Sequence, residues 1–486
     1  MDHKEQAGKN FAWGAFSQMI TRVFGLGFFV FMSYFLLEKG MGQYNFISSF
    51  VPFWFVLSDF GISGYLYREW SAGLIDLDKI RYDFNLVLTL KLIMSVIIFI
   101  PFCIVNWFIN QEIFFALVLY YIFLVMSIVV SQIETYLNST NNFRLGAIRS
   151  IIEKIIVISV GGISLYIFPN VESVFLAMVI SQFVALLYYF TGRFPFRPSF
   201  VFVWTYAFDL IKKGIPFALF SIFLTVYGRI DMVMLKFMKN FETVGWYSAA
   251  YKAYEMANIF PGVLFLPAIF PVMSRIVNLE NREKYRNFLN SALRILFTSS
   301  LLLSIFFIFF AHYVISWFFP DSFVPSVLAM RIIVLVLTSS SLGWLFSNLL
   351  IIQKKEKISL GIIVVSCALN VLLNWLFIPQ YSLYGAAWAT VIAEIFNLIL
   401  LQHFVDWDKD WKMLSRMFFV VIFLVAFMVL MKMLGLMNNI YVGSSLMVLT
   451  VLLFWGLGLL QKDDVGMFYL PFKNKFRSLF YKQDEI

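Results

Sequence analysis

Residues 9–44 read KNFAWGAFSQMITRVFGLGFFVFMSYFLLEKGMGQY. Between Lys9 and Glu38 the single charged side chain is Arg22. A helix that crosses a bilayer needs about 20 predominantly apolar residues, and 11–37 meets that requirement with one guanidinium inside it. The Gly40-Met41-Gly42 stretch that follows reads as a turn before the next apolar run. The whole chain repeats this alternation. Of its 486 residues 61% are hydrophobic and 13% charged, with 59 Phe, and its mean hydropathy is +0.84. Soluble domains carry about a quarter charged residues, so lipid must solvate much of this surface.

Apolar runs broken by charge, Pro or Gly give about fourteen transmembrane helices, at 11–37, 44–66, 84–108, 113–137, 150–168, 171–191, 209–235, 246–272, 289–319, 325–352, 358–378, 383–405, 414–434 and 440–461. Charge tests the count. Alternate connections hold the basic residues: Arg68, Lys79 and Arg81 after the second run, Arg193, Arg197, Lys212 and Lys213 after the sixth, Arg275, Arg282, Lys284, Arg286 and Arg294 after the eighth. The intervening connections hold Lys39, Lys236, Lys239 and Lys432. Cytoplasmic loops collect Lys and Arg, so the pattern predicts a multi-pass inner-membrane protein with both termini in the cytoplasm. The net charge of +9 is explained by those loops, and nucleic acid is not an expected partner. The polar N-terminus leads into an apolar run too long for a signal peptide, so no cleaved leader is expected. The tail after Pro471, with Phe472, Phe476, Phe480 and Tyr481 among Lys473, Lys475, Arg477 and Lys482, reads either as an interfacial helix or as a solvated tail.

Residues 213–247, KGIPFALFSIFLTVYGRIDMVMLKFMKNFETVGWY, parallel the opening stretch. Phe16-Ser17 matches Phe220-Ser221, Thr21 matches Thr225, and Gly42-Gln43-Tyr44 matches Gly245-Trp246-Tyr247. Arg68 aligns further on with Arg275, and Phe168-Pro169 with Ile378-Pro379. A repeat of six crossings keeps its orientation in the membrane and implies two bundles related by an axis along the membrane normal. The expected organisation is therefore an all-α membrane protein. A six-helix lobe at 1–191 is followed by a cytoplasmic linker at 192–208 and a second six-helix lobe at 209–405. Two further helices occupy 406–461 and a cytoplasmic tail 462–486.

Ionisable groups at bilayer depth are expensive and are functional candidates by default. The basic ones are Arg22, Lys91, Arg229, Lys252 and Arg331; the acidic ones are Asp59, Glu134, Asp231, Glu255 and Glu394. Gln18, Thr21, Arg22 and Gly25 form a polar, small-residue stripe in the first run, and Ser221, Thr225, Gly228 and Arg229 another in the seventh. Such stripes either line a wet cavity or mark close helix packing, and Lys252 with Glu255 either serves a cargo or is self-neutralising. A cavity lined by Arg and Lys selects an anionic cargo, because guanidinium binds phosphate through paired hydrogen bonds. Carboxylates in the same space are candidate seats for a coupling H⁺ or Na⁺. Enzyme signatures are lacking. His3, His312 and His403 are scattered, Cys103 and Cys367 sit singly in apolar runs, and there is no phosphate-binding Gly-Lys-Ser/Thr loop. No cofactor is expected, and no connection is long enough for a catalytic domain.

The sequence also resembles a known family. The carrying stretches are Lys9-Asn10-Phe11 with the Arg22 helix and Gly40-Met41-Gly42-Gln43-Tyr44; Ser58-Asp59-Phe60-Gly61 followed by Tyr67-Arg68-Glu69; Gly245-Trp246-Tyr247; Phe270-Pro271-Val272-Met273-Ser274-Arg275; and Asn370 to Asn374, Pro379, then Tyr384-Gly385-Ala386-Ala387-Trp388-Ala389-Thr390. In order and spacing these resemble the O-antigen and capsule repeat-unit flippases of the multidrug/oligosaccharidyl-lipid/polysaccharide exporter superfamily. The resemblance implies two six-helix lobes, as in the multidrug exporters, around a cavity that opens alternately to each side. It implies an undecaprenyl-pyrophosphate-linked oligosaccharide as cargo, with membrane lipids, a polysaccharide polymerase and chain-length machinery as further partners. By that analogy Arg22, Arg229, Lys252 and Arg331 hold the pyrophosphate or acidic sugars. Asp59, Glu134, Asp231, Glu255 and Glu394 serve ion coupling or gating. The competing readings are a peptidoglycan-precursor flippase, a multidrug cation exporter of the same architecture, and a membrane polysaccharide polymerase or ligase, which would be expected to carry a long outside loop.

Overall fold

The computed structural model describes residues 3–71, 77–140, 142–191, 194, 198–259, 261, 265–277, 282–461 and 464. The expected tail beyond Pro471 and the side chain of the repeat landmark Arg275 lie outside the described residues. Every described regular element is helical. Contacts divide the chain into two compact units, Met1–Ser248 and Ala249–Ile486.

The first unit comprises α1 (His3–Asp59), α2 (Ile62–Ser71), α3 (Leu77–Ile109), α4 (Phe114–Ser139), α5 (Phe143–Ile167), α6 (Val171–Phe190), α7 (Trp204–Met238) and the start of α8 (Phe241–Ala257). The second holds the rest of α8, then α9 (Leu266–Val277), α10 (Arg282–Phe318), α11 (Ser326–Ile333), α12 (Val336–Ile352), α13 (Glu356–Phe404), α14 (Trp411–Met433) and α15 (Ile440–Gly456). Ten described helical stretches are long and apolar enough to cross a membrane. Two of them are double. α1 turns sharply at Leu37 (φ 51) and α13 at Ser382 (φ 54), so each makes two crossings. α15 adds a shorter apolar helix, and α8 with α9 takes the place of the expected run 246–272. The fourteen expected crossings are thus accounted for. The expected connection at 38–43 is a single-residue reversal, and the turn expected at Ile378-Pro379 lies at Ser382.

Lipid-facing surfaces explain the exposed hydrophobics. Ile97, Ile100, Ile104, Ile163, Leu224, Phe418 and Leu452 are all exposed, which in water would be an aggregation surface. Trp107, Tyr166, Trp204, Trp317, Trp411, Tyr441 and Trp455, near helix ends, are exposed too. Aromatic rings of this kind gather at membrane–water interfaces.

Contacts between turns sort the helix ends within each unit. In the first unit the Leu37 turn meets the α3–α4 turn, where Glu112 accepts from Lys39 at 2.7 Å and from Gln43 at 3.1 Å. Lys236, at the end of α7, donates to Asn110 in that same turn at 2.6 Å. At the opposite end Tyr206 donates to Asp83 at 2.7 Å, and Asn85 accepts from the backbone of Ser199. In the second unit one end joins Lys355 to Asp406 at 2.6 Å and Arg282 to Asp408 at 2.5 Å. The other joins Tyr384 to the carbonyl of Pro325 and Tyr313 to that of Asn438. Alternate connections therefore share an end, as the charge pattern requires.

The repeat has a structural counterpart. A Cβ on Gly42 would lie 1.8 Å from the carbonyl oxygen of Phe241, and a Cβ on Gly245 would lie 2.0 Å from that of Glu38. The two contacts are reciprocal: Glu38 stands before Gly42 as Phe241 stands before Gly245. Asn45 and Ser248, related by the same chain offset, are hydrogen-bonded at 3.0 Å. Segments 38–45 and 241–248 thus pack about a local two-fold, backbone against backbone, where only glycine fits.

Candidate functional site

The charged residues at bilayer depth fall into separate groups, each built by a particular helix geometry. In the first group α1 ends at Asp59, and Phe60 and Gly61 both take positive φ (47° and 69°) before α2 begins. This reversal folds Ser63 back so that its hydroxyl donates to Asp59 Oδ1 at 2.7 Å. Gly61 is obligatory there, since a Cβ would sit 2.2 Å from the backbone nitrogen of Ala218. Lys91, on α3 and only 2% exposed, donates to Asp59 at 2.6 Å, to Ser63, and to Gln132 of α4 at 2.9 Å. A buried ammonium with three acceptors is fully coordinated.

The second group centres on Arg149 of α5. Its Nε lies 2.8 Å from Glu134 of α4, and its Nη1 bonds Glu153 one turn along α5. Tyr189 of α6 donates to Glu134 at 3.3 Å. Two carboxylates share this guanidinium. Gly146 makes room for it, with Glu134 Oε1 3.5 Å from its Cβ position. The adjacent Lys154 lies against α1, its Nζ 3.5 Å from the Cβ position of Gly25. Arg22 is about one turn away on α1 and exposed. Among the described residues no hydrogen bond or ion pair engages it. α1 and α5 thus present two cations on neighbouring stretches, one of them open.

In the third group Asp231 of α7 is buried, accepting from Tyr247 of α8 at 2.5 Å and from the backbone of Met232 at 2.8 Å. Half-buried Arg229 is within electrostatic reach of Asp231 and Tyr120. In the second unit Lys252 and Glu255 pair at 2.7 Å across one turn of α8. Tyr254 is close enough to Glu255 and to Glu394 of α13 to interact with both charges. Arg331 stands elsewhere. From the last turn of α11 its Nε donates to the carbonyl of Ile308 at 2.9 Å, and its Nη2 to Asn438 in the turn between α14 and α15.

Of the residues expected to bind cargo, then, Arg22 is open, Arg229 neighbours a carboxylate, Lys252 is paired and Arg331 tethers a turn. Of the expected carboxylates, Asp59 engages Lys91, a charge at bilayer depth that was given no cargo role, and Glu134 engages Arg149, which lay outside the candidates altogether. Arg149 lies just outside the apolar run 150–168, whereas α5 begins at Phe143 and carries it. The spacing of Arg149 and Glu153, four apart, was the available signal. Among the described residues no cluster of His, Cys, Asp and Glu could hold a metal ion.

The family profile described as "Polysaccharide biosynthesis protein" matches residues 7–277, more than half of the chain. The chain belongs to that family. Its fold has solved counterparts. "Lipid II flippase MurJ, inward closed conformation" superposes with a TM-score of 0.69 over 94% of this chain and 99% of that one, at 16% identity. An inward-facing multidrug resistance MATE family transporter of the MOP superfamily superposes at 0.55 over 81% and 92%, at 17% identity. A MOP superfamily transporter from Pyrococcus furiosus does so at 0.55 over 81% and 94%, at 15% identity. Comparison with curated protein sequences returns no significant match. This member of the polysaccharide biosynthesis family is thus a multi-pass membrane protein with the helical fold of those transporters.

Proposed function

We propose that the protein is a flippase of the bacterial inner membrane. It carries an undecaprenyl-pyrophosphate-linked oligosaccharide repeat unit from the cytoplasmic to the outer leaflet by alternating access, with the segments 1–191 and 209–405 as its moving parts. The observation that carries this reading is the family match over residues 7–277. Exposed Arg22, with Lys154 on the neighbouring helix, supplies the chemistry: guanidinium and ammonium groups in a low-dielectric wall bind pyrophosphate. Arg229 and Lys252 are assigned to the same anionic cargo, with Lys252 released from Glu255 as cargo arrives. Arg331 serves the α14–α15 turn instead. Glu134 and Glu153 share one Arg149, and that excess carboxylate is the seat we assign to a coupling H⁺ or Na⁺. Asp59, Asp231, Glu255 and Glu394 are assigned to gating. The basic connections support a cytoplasmic location for both termini. A polymerase and chain-length machinery would take the unit over at the outer face.

The test is genetic and biochemical. Arg22→Ala and Arg229→Ala are expected to abolish surface polysaccharide while the protein stays in the membrane at normal abundance. Normal polymer from both variants would sink the cargo assignment. A second reading, flipping of a peptidoglycan precursor, is favoured by the higher TM-score with the lipid II flippase than with the drug transporters. Deletion separates the two: loss of surface polymer with intact growth supports the first, and arrested wall synthesis the second.

A further inference from the structure

The connection that leads from the first expected lobe into α7 lies along α3 as a strap. Residues 198–203 form no helix, and Val203 has an extended backbone (φ -132, ψ 108). The N–H of Ser199 donates to Asn85 Oδ1 at 2.9 Å, and the N–H of Val201 donates to Thr89 Oγ1 at 3.1 Å. Four residues of helix advance about 6 Å and two residues of extended chain about 6.6 Å, so the strap and α3 run side by side in register. Asn85 and Thr89 are 3% and 2% exposed. They are polar side chains at the start of an apolar run, and these bonds account for them. Both ends of the connection are fixed as well. Phe194 is buried against Phe84 and Tyr136, with ring centroids 5.4 and 5.6 Å away, and Tyr206 donates to Asp83 at 2.7 Å.

The strap has two faces, as the period of an extended chain requires. Val201 packs on the hydrophobic cluster that contains Phe84, Leu88 and Leu210. Phe200 and Phe202, on either side of it, are 77% and 39% exposed. The rings of Phe202 and Trp204 lie 6.1 Å apart, and Trp204 and Phe208, one turn apart at the start of α7, are exposed too. This uncovered aromatic edge would be an aggregation surface in water. Arg193, Arg197 and Lys212 flank it in sequence. Aromatic rings gather at the membrane–water interface, and bases beside them attract anionic headgroups. Irregular backbone near bilayer depth must have its polar groups satisfied by protein, and Asn85 and Thr89 do this for two N–H groups of the strap. We infer that residues 198–204 are a membrane-surface anchor. The aromatic edge enters the boundary between headgroups and acyl chains, and anionic headgroups gather at the flanking bases. The anchor is separate from the cargo path and stands whatever the cargo is.

The experiment is site-directed spin labelling of the full chain in nanodiscs of phosphatidylcholine and phosphatidylglycerol, on a background of Cys103→Ser and Cys367→Ser. Labels are attached singly at Phe200→Cys, Val201→Cys and Phe202→Cys. Their collision with oxygen, which concentrates in the bilayer, is compared with their collision with a water-soluble nickel chelate. Oxygen is expected to dominate severalfold at positions 200 and 202, whereas both collision rates should be low at position 201. Asn85→Ala with Thr89→Val removes both acceptors and is expected to abolish the contrast between position 201 and its neighbours. Thr89→Val alone, which keeps the shape of the side chain, is expected to raise the mobility of the label at position 201. Nanodiscs without phosphatidylglycerol are expected to shift the labels at positions 200 and 202 towards the chelate. Dominance of the chelate at those two positions with phosphatidylglycerol present would overturn the inference, because the strap would then lie in water. Low collision with both reagents there would also overturn it, because protein rather than lipid would then cover the aromatic edge.

Discussion

Removing the charges of the Asp59–Lys91 pair, singly and together, tests whether the charges at bilayer depth are held as described. Lys91 is 2% exposed and spends its three donors on Asp59, Ser63 and Gln132. Asp59 has a side chain 35% exposed. Asp59→Asn leaves an ammonium in the interior without a counter-charge, and stranding a buried ion costs about 3–5 kcal/mol. Lys91→Met strands the carboxylate instead, but Asp59 keeps Ser63 and can draw on solvent through its exposed third, so about 1–3 kcal/mol is expected. The double variant removes both charges and should return to within about 1 kcal/mol of the wild type. The assay is survival of the monodisperse protein after graded heating in detergent, read by fluorescence-detected size exclusion, where rank order is meaningful even if unfolding is irreversible. The expected order is wild type, double variant, Lys91→Met, Asp59→Asn. Asp59→Asn as stable as the wild type, or a double variant weaker than both singles, would refute the reasoning. Transport read in the same strains separates roles: with Asp59 a gating charge, the double variant is stable yet slow.

Three further outcomes follow from close approach and tethering. Gly42→Ala places a methyl 1.8 Å from the Phe241 carbonyl and must drive the two backbones apart, a loss of at least about 1–3 kcal/mol. Gly27→Ala, with nothing within 4 Å of its Cβ position, should gain about 0.5–1 kcal/mol of helix stability; the same heating assay reads both. Arg331→Met releases the turn held at Asn438, so hydrogen exchange at Leu436–Asn439 should quicken severalfold while surface polysaccharide is made normally. Lost polymer with an unaltered turn would restore Arg331 to the cargo path.

The crossings were readable from the chain because membrane physics writes them in two independent codes, run length and the sign of loop charge, and both agree. The repeat was readable because Gly42 and Gly245 meet backbone to backbone, which leaves no alternative residue at either place. The reversals at Leu37 and Ser382 were not readable. Neither is a glycine, the residue that normally marks positive φ, yet both take it. Partnerships were the least legible. Nothing local in the sequence tells Lys91 that Gln132 lies across from it, or Arg331 that its acceptors are in α10 and in the turn before α15. Charges at bilayer depth were found by composition alone. Whether each is open, as Arg22 is, or satisfied, as Arg149 is, depends on which helix face meets which, and that is decided by the packing of the whole unit.

The central claim concerns the leaflet in which the lipid-linked repeat unit resides. The direct measurement treats spheroplasts and inverted vesicles with a membrane-impermeant sugar oxidant and counts the modified lipid-linked units in each. With the wild-type protein the units should be reactive in spheroplasts. With the gene deleted, or with Arg22→Ala, single repeat units should accumulate and react only in inverted vesicles. Units that reach the outer leaflet equally well without the protein would contradict the account.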